Sequence, residues 1–354
     1  MLMKTLLLKL YILLSVIIVT ISCLQQDEYV QFAGYAQGGV WSVKANLKGV
    51  KVGKKKIQSD LDSILCQIDN SLSGYNKGSL LSIFNAGDEI TPDTLFLDIY
   101  RRAVEIYDVT GGCVDVASAP LFDIWGFGFK SGQMPSADEV SQALGECGMN
   151  RLRTDMLSVL SVDGKLSPKA LLLDSVSEVA PQLNYNAIAQ GYTCDVVAAY
   201  LYSIGVKDMM VDIGEIYCDG VNPSGNRWTI GIDSPIDGNN TPGANVQAIF
   251  RVPEGPHGVV TSGNYRKYYV KDGKKYAHTV DPRIGYPVSH SLLSATILAS
   301  DATLADAYAT HCMVIGLEQA KSFLASHPDV EGCLIYDEDG EFKIWTSEGF
   351  VIEK

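Results

Sequence analysis

Two hydrophobic periods alternate along this 354-residue chain, and they limit its fold more than any other feature. Apolar residues at every second position are typical of strands, and a spacing of three and four is typical of helices. The pattern predicts a strand pair at 24–50, a hairpin at 166–176, strands at 209–221, 228–232, 246–252, 267–270 and 294–299, and a closing strand pair. It predicts helices at 57–72, 94–107, 187–204, 303–315 and 318–325. This order indicates an α/β protein of mixed α+β type, a single two-lobed unit with mixed sheets and flanking helices.

The N-terminal region has the pattern of an export signal. Lys4 and Lys9 precede an almost wholly apolar stretch, residues 10–21, and Cys23 follows Ser22. A charged start, an apolar core and a small residue before the break are typical of a signal peptide. The Ser-Cys step resembles a bacterial lipobox, although Thr20 stands where Leu is usual, and an ordinary signal peptide or uncleaved anchor is the alternative.

The predicted division is therefore a signal peptide at 1–22, a lipid-anchored linker at 23–30 and a folded domain at 31–354. Lipidation of Cys23 would hold the protein in the bacterial cell envelope, facing the periplasm. No later segment reaches the roughly 20 apolar residues that a membrane-spanning helix needs.

Charge and cysteine content argue against nucleic-acid binding and against a zinc or thioredoxin site. The net charge is −13 and the pI about 4.8, which disfavours nucleic acid, because binding there depends on neutralising phosphates with Lys and Arg. An anionic ligand must instead be held by a metal ion, a helix N-terminus or a few basic side chains. None of the eight cysteines forms a C-x-x-C pair, so we expect buried thiols rather than a zinc or thioredoxin site.

One candidate site lies on the predicted helix 303–315. Asp306 and Thr310 are four residues apart and therefore share a helix face. Carboxylate and hydroxyl oxygens are hard ligands suited to Mg²⁺ or Ca²⁺. Two oxygens do not complete a metal site, and a surface or capping role is the alternative.

Two further segments have a chemical pattern. Residues 184–192 form a polar stretch that enters a helix through small residues, where backbone N–H groups could meet phosphate. Residues 278–285 place His278 beside an Asp-Pro turn, after the stretch 261–266. A single histidine is either structural or a general base, and the pattern does not decide between them.

In order, these segments resemble the FAD:protein FMN transferase family, also called ApbE. The resemblance covers about residues 32–316, and its markers are ordered along the chain. They are Gly34-Tyr35-Ala36-Gln37-Gly38, Leu72-Ser73-Gly74-Tyr75-Asn76 with Asn85, Gly111–Val116, Leu121–Gly128, the helix start Ala187–Asp195, Thr261-Ser262-Gly263, His278–Gly285 and Ala305-Asp306-Ala307 with Thr310.

The resemblance implies a Mg²⁺-dependent enzyme that transfers FMN from FAD to a Thr or Ser hydroxyl of an acceptor protein and releases AMP. It implies that Asp306, Thr310 and the main-chain oxygen of Ala187 bind Mg²⁺. It implies a general base at His278 and an FAD site between the lobes. The implied FAD contacts are Gln37, Tyr75, Cys113, Val114, Asp115, Asn184, Gln190 and His278.

This sequence departs from the family pattern at three places. Gly39 replaces a frequent Thr, Gln190 replaces a frequent Lys, and residues 212–216 contain one Gly where two are usual. The resemblance also leaves two other functions open: hydrolysis of FAD to FMN and AMP, or flavin binding without catalysis. The acceptor would be an exported or membrane protein, such as a subunit of a redox complex or an exported flavoprotein.

The lipid anchor can be tested at Cys23. Because multiple acyl chains hold a protein at a membrane far more firmly than one chain, Cys23→Ala should move the protein out of the membrane fraction. Fractionation and mass spectrometry of the N-terminal peptide would check this. Unchanged fractionation, with no lipid mass on Cys23 in the wild type, would contradict the anchor.

Overall fold

The computed structural model describes residues 28–129, 134–173, 179–236, 239, 241, 243–265, 268–271 and 274–353, with the backbone alone at 268–271 and 274–276. The predicted signal peptide and Cys23 lie outside these residues. Within them, no helix combines the length and apolar character needed to cross a bilayer.

An eight-stranded antiparallel sheet forms the centre of the protein, with strand order β1-β2-β3-β4-β7-β12-β13-β14. β1 and β2 form a hairpin, which confirms the predicted strand pair, and the chain turns at Gln37 and Gly38. The strands are β1 Tyr29–Ala36, β2 Gly39–Asn46, β3 Met209–Asp212, β4 Ile216–Asp219, β7 His257–Gly263, β12 Leu292–Ala299, β13 Glu331–Glu338 and β14 Glu341–Thr346.

Three smaller sheets complete the β structure of the described chain. β5 (Thr229–Asp233), β6 (Val246–Arg251) and β15 (Ile352–Glu353) form a three-stranded sheet in the order β15-β6-β5. The other two are hairpins: β8 (Tyr268–Lys271) with β9 (Lys274–Ala277), and β10 (Val280–Asp281) with β11 (Tyr286–Pro287).

Eight α-helices lie within the described residues, most of them between β2 and β3. Polar side chains begin several of them: Asp93 Oδ1 accepts the Phe96 N–H at 2.8 Å, and Ser136 and Glu139 form a capping box. The helices are α1 Lys54–Leu72, α2 Leu80–Asn85, α3 Thr94–Val109, α4 Ala119–Ile124, α5 Ala137–Glu146, α6 Ala189–Ser203, α7 Ala302–Ile315 and α8 Leu317–Ser326.

The two faces of the central sheet pack against different partners, because side chains alternate along each strand. On β12, Ala295 and Ile297 join the core formed with helices α3, α7 and α8, whereas Leu298 joins the core of the three-stranded sheet. On β13, Leu334 and Ile335 divide in the same way. The central sheet is therefore covered by helices on one face and by strands on the other.

The mixed α+β prediction is confirmed, with two local differences. Residues 166–176 were predicted as a hairpin, and this is wrong over the described part: 168–171 form a 3₁₀ helix that begins at Pro168. Proline fixes φ in a helical range, which favours this turn. The periodicity also missed α2, α4, α5 and β7, and the one strand predicted at 209–221 is the antiparallel pair β3 and β4.

Cysteine side chains behave largely as the sequence indicates. Six of the seven cysteines in the described chain are buried and none of the seven forms a disulfide; Cys66 is exposed. Burial raises the pKa of the Cys312 and Cys333 thiols to about 12, which keeps them protonated and unreactive at neutral pH.

Candidate functional site

A loop that enters helix α6 is held in place from two sides. Leu183 exchanges two hydrogen bonds of 2.7 Å with the Asn85 side chain, which accepts the Leu183 N–H and donates to its carbonyl. The Asn184 N–H donates to the Val116 carbonyl at 2.7 Å, and the Asn184 side chain accepts the Asn186 N–H at 2.9 Å. The buried Asn184 therefore shapes the loop that leads to Ala187.

Helices α6 and α7 cross in close contact at Gly191. A Cβ atom there would lie 2.2 Å from the Ala302 carbonyl oxygen and 2.9 Å from Asp306 Cβ. The glycine also lets its own N–H donate to Asp306 Oδ2 at 3.1 Å. One turn later, Asp195 accepts the N–H groups of Ala302 and Thr303 at 2.8 and 2.9 Å and fixes the start of α7.

The Gly191 hydrogen bond leaves the Ala187 carbonyl open. In a regular helix, the Gly191 N–H would donate to the carbonyl four residues earlier. It donates to Asp306 instead, and no hydrogen bond between described residues ends on the Ala187 oxygen. The Asp306 carboxylate thus takes the N–H group that a regular helix would direct to the Ala187 carbonyl.

Asp306 is a deeply buried acid, only 5% exposed. Burial raises the pKa of its carboxyl to about 8, the nearby Asp195 acts in the same direction, and the Gly191 N–H opposes both. Among the described residues, no Lys or Arg forms an ion pair with it. Thr310 lies one helical turn further on, its hydroxyl 3.5 Å from Ser262 Oγ on β7.

These atoms fit a hard cation. The Asp306 carboxylate, the Thr310 hydroxyl and the Ala187 carbonyl are all oxygen donors, the type that Mg²⁺ prefers. Within the described residues, no group of three or more His, Cys, Asp or Glu side chains could hold a metal. A cation at Asp306 would therefore depend on neutral oxygens and on a ligand's own oxygens.

The start of α6 offers few free amide groups. The sequence suggests that its N–H groups meet phosphate, but three of the first four are already used. Ala189 and Tyr192 donate to the carbonyls of Tyr185 and Ile188, and Gly191 donates to Asp306. Within the stretch 184–192, the Ala187 and Gln190 N–H groups have no acceptor among the described residues, and for these two the phosphate contact stays a prediction.

The turn of the first hairpin reaches the same helix. Gln37 has a positive φ of 51°, and its amide nitrogen donates to Thr193 Oγ1 at 2.6 Å on α6. Its carbonyl oxygen Oε1 is buried and accepts no hydrogen bond from the described residues. Such an acceptor is costly unless a ligand or water pairs with it, so Gln37 has an open position for a ligand donor.

Gln190 points toward the turn after β3. Its amide nitrogen donates to the Ile213 carbonyl at 3.1 Å. Gly214 has a φ of 90°, and a Cβ on it would lie 2.7 Å from that nitrogen. The single glycine of this segment therefore provides the space in which the Gln190 amide lies.

Tyr75 and Phe129 form an aromatic contact at the edge of the loop. Their rings lie 5.1 Å apart in an edge-to-face arrangement, and the Tyr75 hydroxyl accepts from Asn186 Nδ2 at 3.3 Å. Tyr75 is still 64% exposed, so one face of its ring is available to a ligand. The sequence analysis does not identify Phe129, whose only signal is the neighbouring stretch Trp125–Gly128, whereas Asn186 lies within the predicted polar stretch 184–192.

The segment 113–115 is mainly structural. Val114 is buried in the core, and Asp115 accepts the N–H groups of Ala117 at 2.8 Å and Met149 at 3.2 Å. Burial raises the pKa of Asp115 to about 6 and that of Cys113 to about 11. An FAD contact from Cys113 or Val114 would therefore come from the backbone rather than from the side chain.

His278 lies next to the β10–β11 hairpin and is half-buried. Its ring is 6.4 Å from that of Phe127, at an interplanar angle of 73°. The hairpin is held by Trp125, whose indole N–H donates to the Gly285 carbonyl at 2.8 Å, and by a two-bond pair between Arg283 and Asp281. The aromatic loop 125–129 thus connects His278 to Tyr75.

Comparison with known proteins decides the family. The profile of the ApbE family matches residues 37–334, which is most of the chain. The protein belongs to the ApbE family.

The most similar relatives include two named FAD:protein FMN transferase. The Vibrio cholerae protein is 29% identical over 345 residues, covering 95% of this chain and 96% of the relative. The Escherichia coli K12 protein is 31% identical over 331 residues, covering 90% and 87%.

Solved structures of ApbE proteins share the fold. Flavinyl transferase ApbE from Pseudomonas stutzeri, in its apo form, is 28% identical with a TM-score of 0.77, covering 91% of this chain and 96% of the other. Flavin transferase ApbE from Vibrio cholerae is 28% identical with a TM-score of 0.74, covering 91% and 98%.

The crossing at Gly191 gives a direct test of how the site is built. Gly191→Ala should push α6 and α7 apart, because the added methyl meets backbone atoms that have no room to move. We expect a loss of stability of about 1–3 kcal/mol, measured by thermal or denaturant unfolding. The matched control is Gly145→Ala in α5, where an added Cβ meets nothing within 4 Å. Equal stability of the two variants would contradict the tight crossing.

Proposed function

We propose that this protein is a Mg²⁺-dependent FAD:protein FMN transferase that attaches FMN to a Thr or Ser hydroxyl of an acceptor protein and releases AMP. The observation that carries the proposal is the set of oxygens at the crossing of α6 and α7. Asp306 is buried there without a described cationic partner, beside the open Ala187 carbonyl and one turn from Thr310. The names of the relatives support the same activity.

Asp306, Thr310 and the Ala187 carbonyl would hold the magnesium ion. When bound, Mg²⁺ would neutralise the charge on the FAD pyrophosphate and stabilise the charge that develops as it is cleaved. The protein contributes the geometry. Asp195 fixes the first turn of α7, and Gly191 fixes the Asp306 carboxylate through its N–H group.

FAD would lie along the start of α6, between the hairpin turn and the aromatic loop. Gln37 presents a buried carbonyl oxygen to a ligand donor, and Tyr75 offers an exposed aromatic face. Asn184 would act through the loop it shapes, and Gln190 through the turn at Ile213. Cys113, Val114 and Asp115 would hold the wall of the site.

His278 would act as the general base. Neutral imidazole has one unprotonated ring nitrogen, which can accept the proton of the acceptor hydroxyl. The hydroxyl oxygen then forms a bond to the phosphorus of the FMN half, the pyrophosphate bond breaks, and AMP leaves. Phe127 and the aromatic loop would hold the imidazole in position for this step.

The acceptor would be an exported or membrane protein with a target Thr or Ser. We propose that the enzyme meets it in the bacterial cell envelope, facing the periplasm, held to the membrane by a lipid on Cys23. Residues 1–22 would be removed as a signal peptide, and residues 23–30 would link the lipid to the domain. The acidic chain, with a net charge of −13, supports a protein partner rather than nucleic acid.

The metal assignment predicts different effects at its two side-chain ligands. Asp306→Asn keeps an acceptor for the Gly191 N–H but removes the only full negative charge among the three proposed metal ligands. AMP release should therefore be lost at every Mg²⁺ concentration. Thr310→Val should require more Mg²⁺ but retain some turnover. The assay follows AMP release and flavin fluorescence on an acceptor protein, with exposed Asp62→Ala as the control.

Full activity of Asp306→Asn in the presence of a chelator would overturn the metal assignment. AMP release that does not depend on an acceptor protein would replace transfer by FAD hydrolysis. Stable FAD binding without AMP release would leave only a flavin-binding function.

The role of His278 predicts a loss in turnover rather than in FAD affinity. His278→Ala should reduce the transfer rate on the order of 10²–10⁴-fold, because proton removal by a positioned base has that magnitude. FAD binding, followed by flavin fluorescence, should change little. His257→Ala, on the β7 strand, is the control. Equal turnover of His278→Ala and the wild type would assign the base to another group, such as the Asp281 carboxylate.

A further inference from the structure

One segment of this acidic protein is strongly basic. Residues 44–56 contain six of the chain's 28 Lys and Arg residues and none of its 41 Asp and Glu residues, although the net charge is −13. The six are Lys44, Lys48, Lys51, Lys54, Lys55 and Lys56, and we refer to them as the lysine surface.

The lysine surface runs from the end of β2 to the first turn of α1. All of its lysines except the half-buried Lys44 are exposed. Among the described residues, Lys54 pairs with Glu28 at 3.0 Å, Lys56 pairs with Asp60 on the same helix, and the charge of Lys44 acts on Asp212. The six lysines outnumber these three acids, so the segment retains an excess of positive charge.

The start of the described chain is fixed to this surface. The Leu47 N–H donates to the Glu28 carbonyl at 2.8 Å, and the Glu28 N–H donates to Asn46 Oδ1 at 3.1 Å. Cys23 precedes Glu28 by five residues, and five residues span at most about 18 Å in any conformation. A lipid on Cys23 would therefore keep Glu28 within that distance of the bilayer, and with it the neighbouring part of the lysine surface around Lys48 and Lys54.

We propose that the lysine surface is the membrane-facing surface of the protein and binds anionic phospholipid headgroups. The proposal rests on the lipid anchor at Cys23, which places a bilayer next to this surface. Charge complementarity supports it, since a Lys near an anionic leaflet strengthens membrane binding by about fivefold, and the effect decays over about 10 Å at 0.1 M salt. The negative charge of the rest of the chain would be repelled from the same leaflet, which favours one orientation.

This orientation places the candidate site away from the membrane. β2 and α1 both run between the lysine surface and the site: the eight residues of β2 extend about 25 Å back to the Gln37 turn. The 19 residues of α1 extend about 28 Å toward Tyr75. The site would thus meet an acceptor residue at most about 25–28 Å above the headgroups, on a domain that projects from the membrane or on an exported protein.

The test compares the lipidated full-length protein on two kinds of vesicle. One is neutral phosphatidylcholine, and the other is the same lipid with about 30% phosphatidylglycerol, which gives a strongly anionic surface. A water-soluble amine-acetylating reagent labels exposed lysines, and mass spectrometry gives the rate at each one. We expect Lys48, Lys51 and Lys55 to react at least fivefold more slowly on anionic vesicles in low salt. Lys165 and Lys169, exposed lysines outside the surface, serve as internal controls and should react equally on both vesicles.

High salt should remove this protection from acetylation. The triple change K48Q/K51Q/K55Q should also remove it, as measured by the acetylation rates of Lys54 and Lys56. Equal labelling of the lysine surface on both vesicles would overturn the proposal and leave the surface free for a protein partner. Flotation with neutral vesicles measures the anchor separately. If the protein does not float with neutral vesicles, the anchor is wrong. Flotation with anionic vesicles but not with neutral ones would then still show that the lysine surface binds lipid.

Discussion

The close crossing of α6 and α7 at Gly191 is the contact on which the candidate site depends. Only a residue without a Cβ fits against the Ala302 carbonyl, and the same position directs a backbone N–H to the Asp306 carboxylate. That bond leaves the Ala187 carbonyl without a described partner. One packing constraint thus produces a buried carboxylate and an open carbonyl together, and the α-helical repeat adds the Thr310 hydroxyl one turn away.

Burying a carboxylate near this crossing is energetically unfavourable, and the fold offsets this more fully for Asp195 than for Asp306. Asp195 is satisfied by the first N–H groups of α7, and burial still raises its pKa to about 6. Asp306 has a single backbone donor and no described cationic partner. A buried charge is tolerated only when it is paired or binds a metal. Asp195 therefore caps helix α7, whereas the unbalanced burial of Asp306 supports its proposed role as a metal ligand.

The sequence predicts the elements of this region better than their contacts. Hydrophobic periodicity identifies α6, α7 and the first hairpin, and the four-residue spacing places Asp306 and Thr310 on one helix face. The Gly191 bond and the orphaned Gln37 oxygen depend on how distant segments meet, which no local pattern encodes. The hairpin predicted at 166–176 fails for a similar reason, since Pro168 and contacts to Arg151 and Arg153 override the apolar pattern.

The positive charge that the site can offer a ligand depends on which polar groups are already hydrogen-bonded within the protein. An acidic chain that binds a pyrophosphate needs local positive charge. Gln190 is neutral, and its amide is already donated to the Ile213 carbonyl. The α6 N-terminus retains the Gln190 N–H as its one amide without a described acceptor among the first four. Under the proposed function, a cation at Asp306 would supply that positive charge, so the departure from Lys at position 190 would make activity more dependent on the metal.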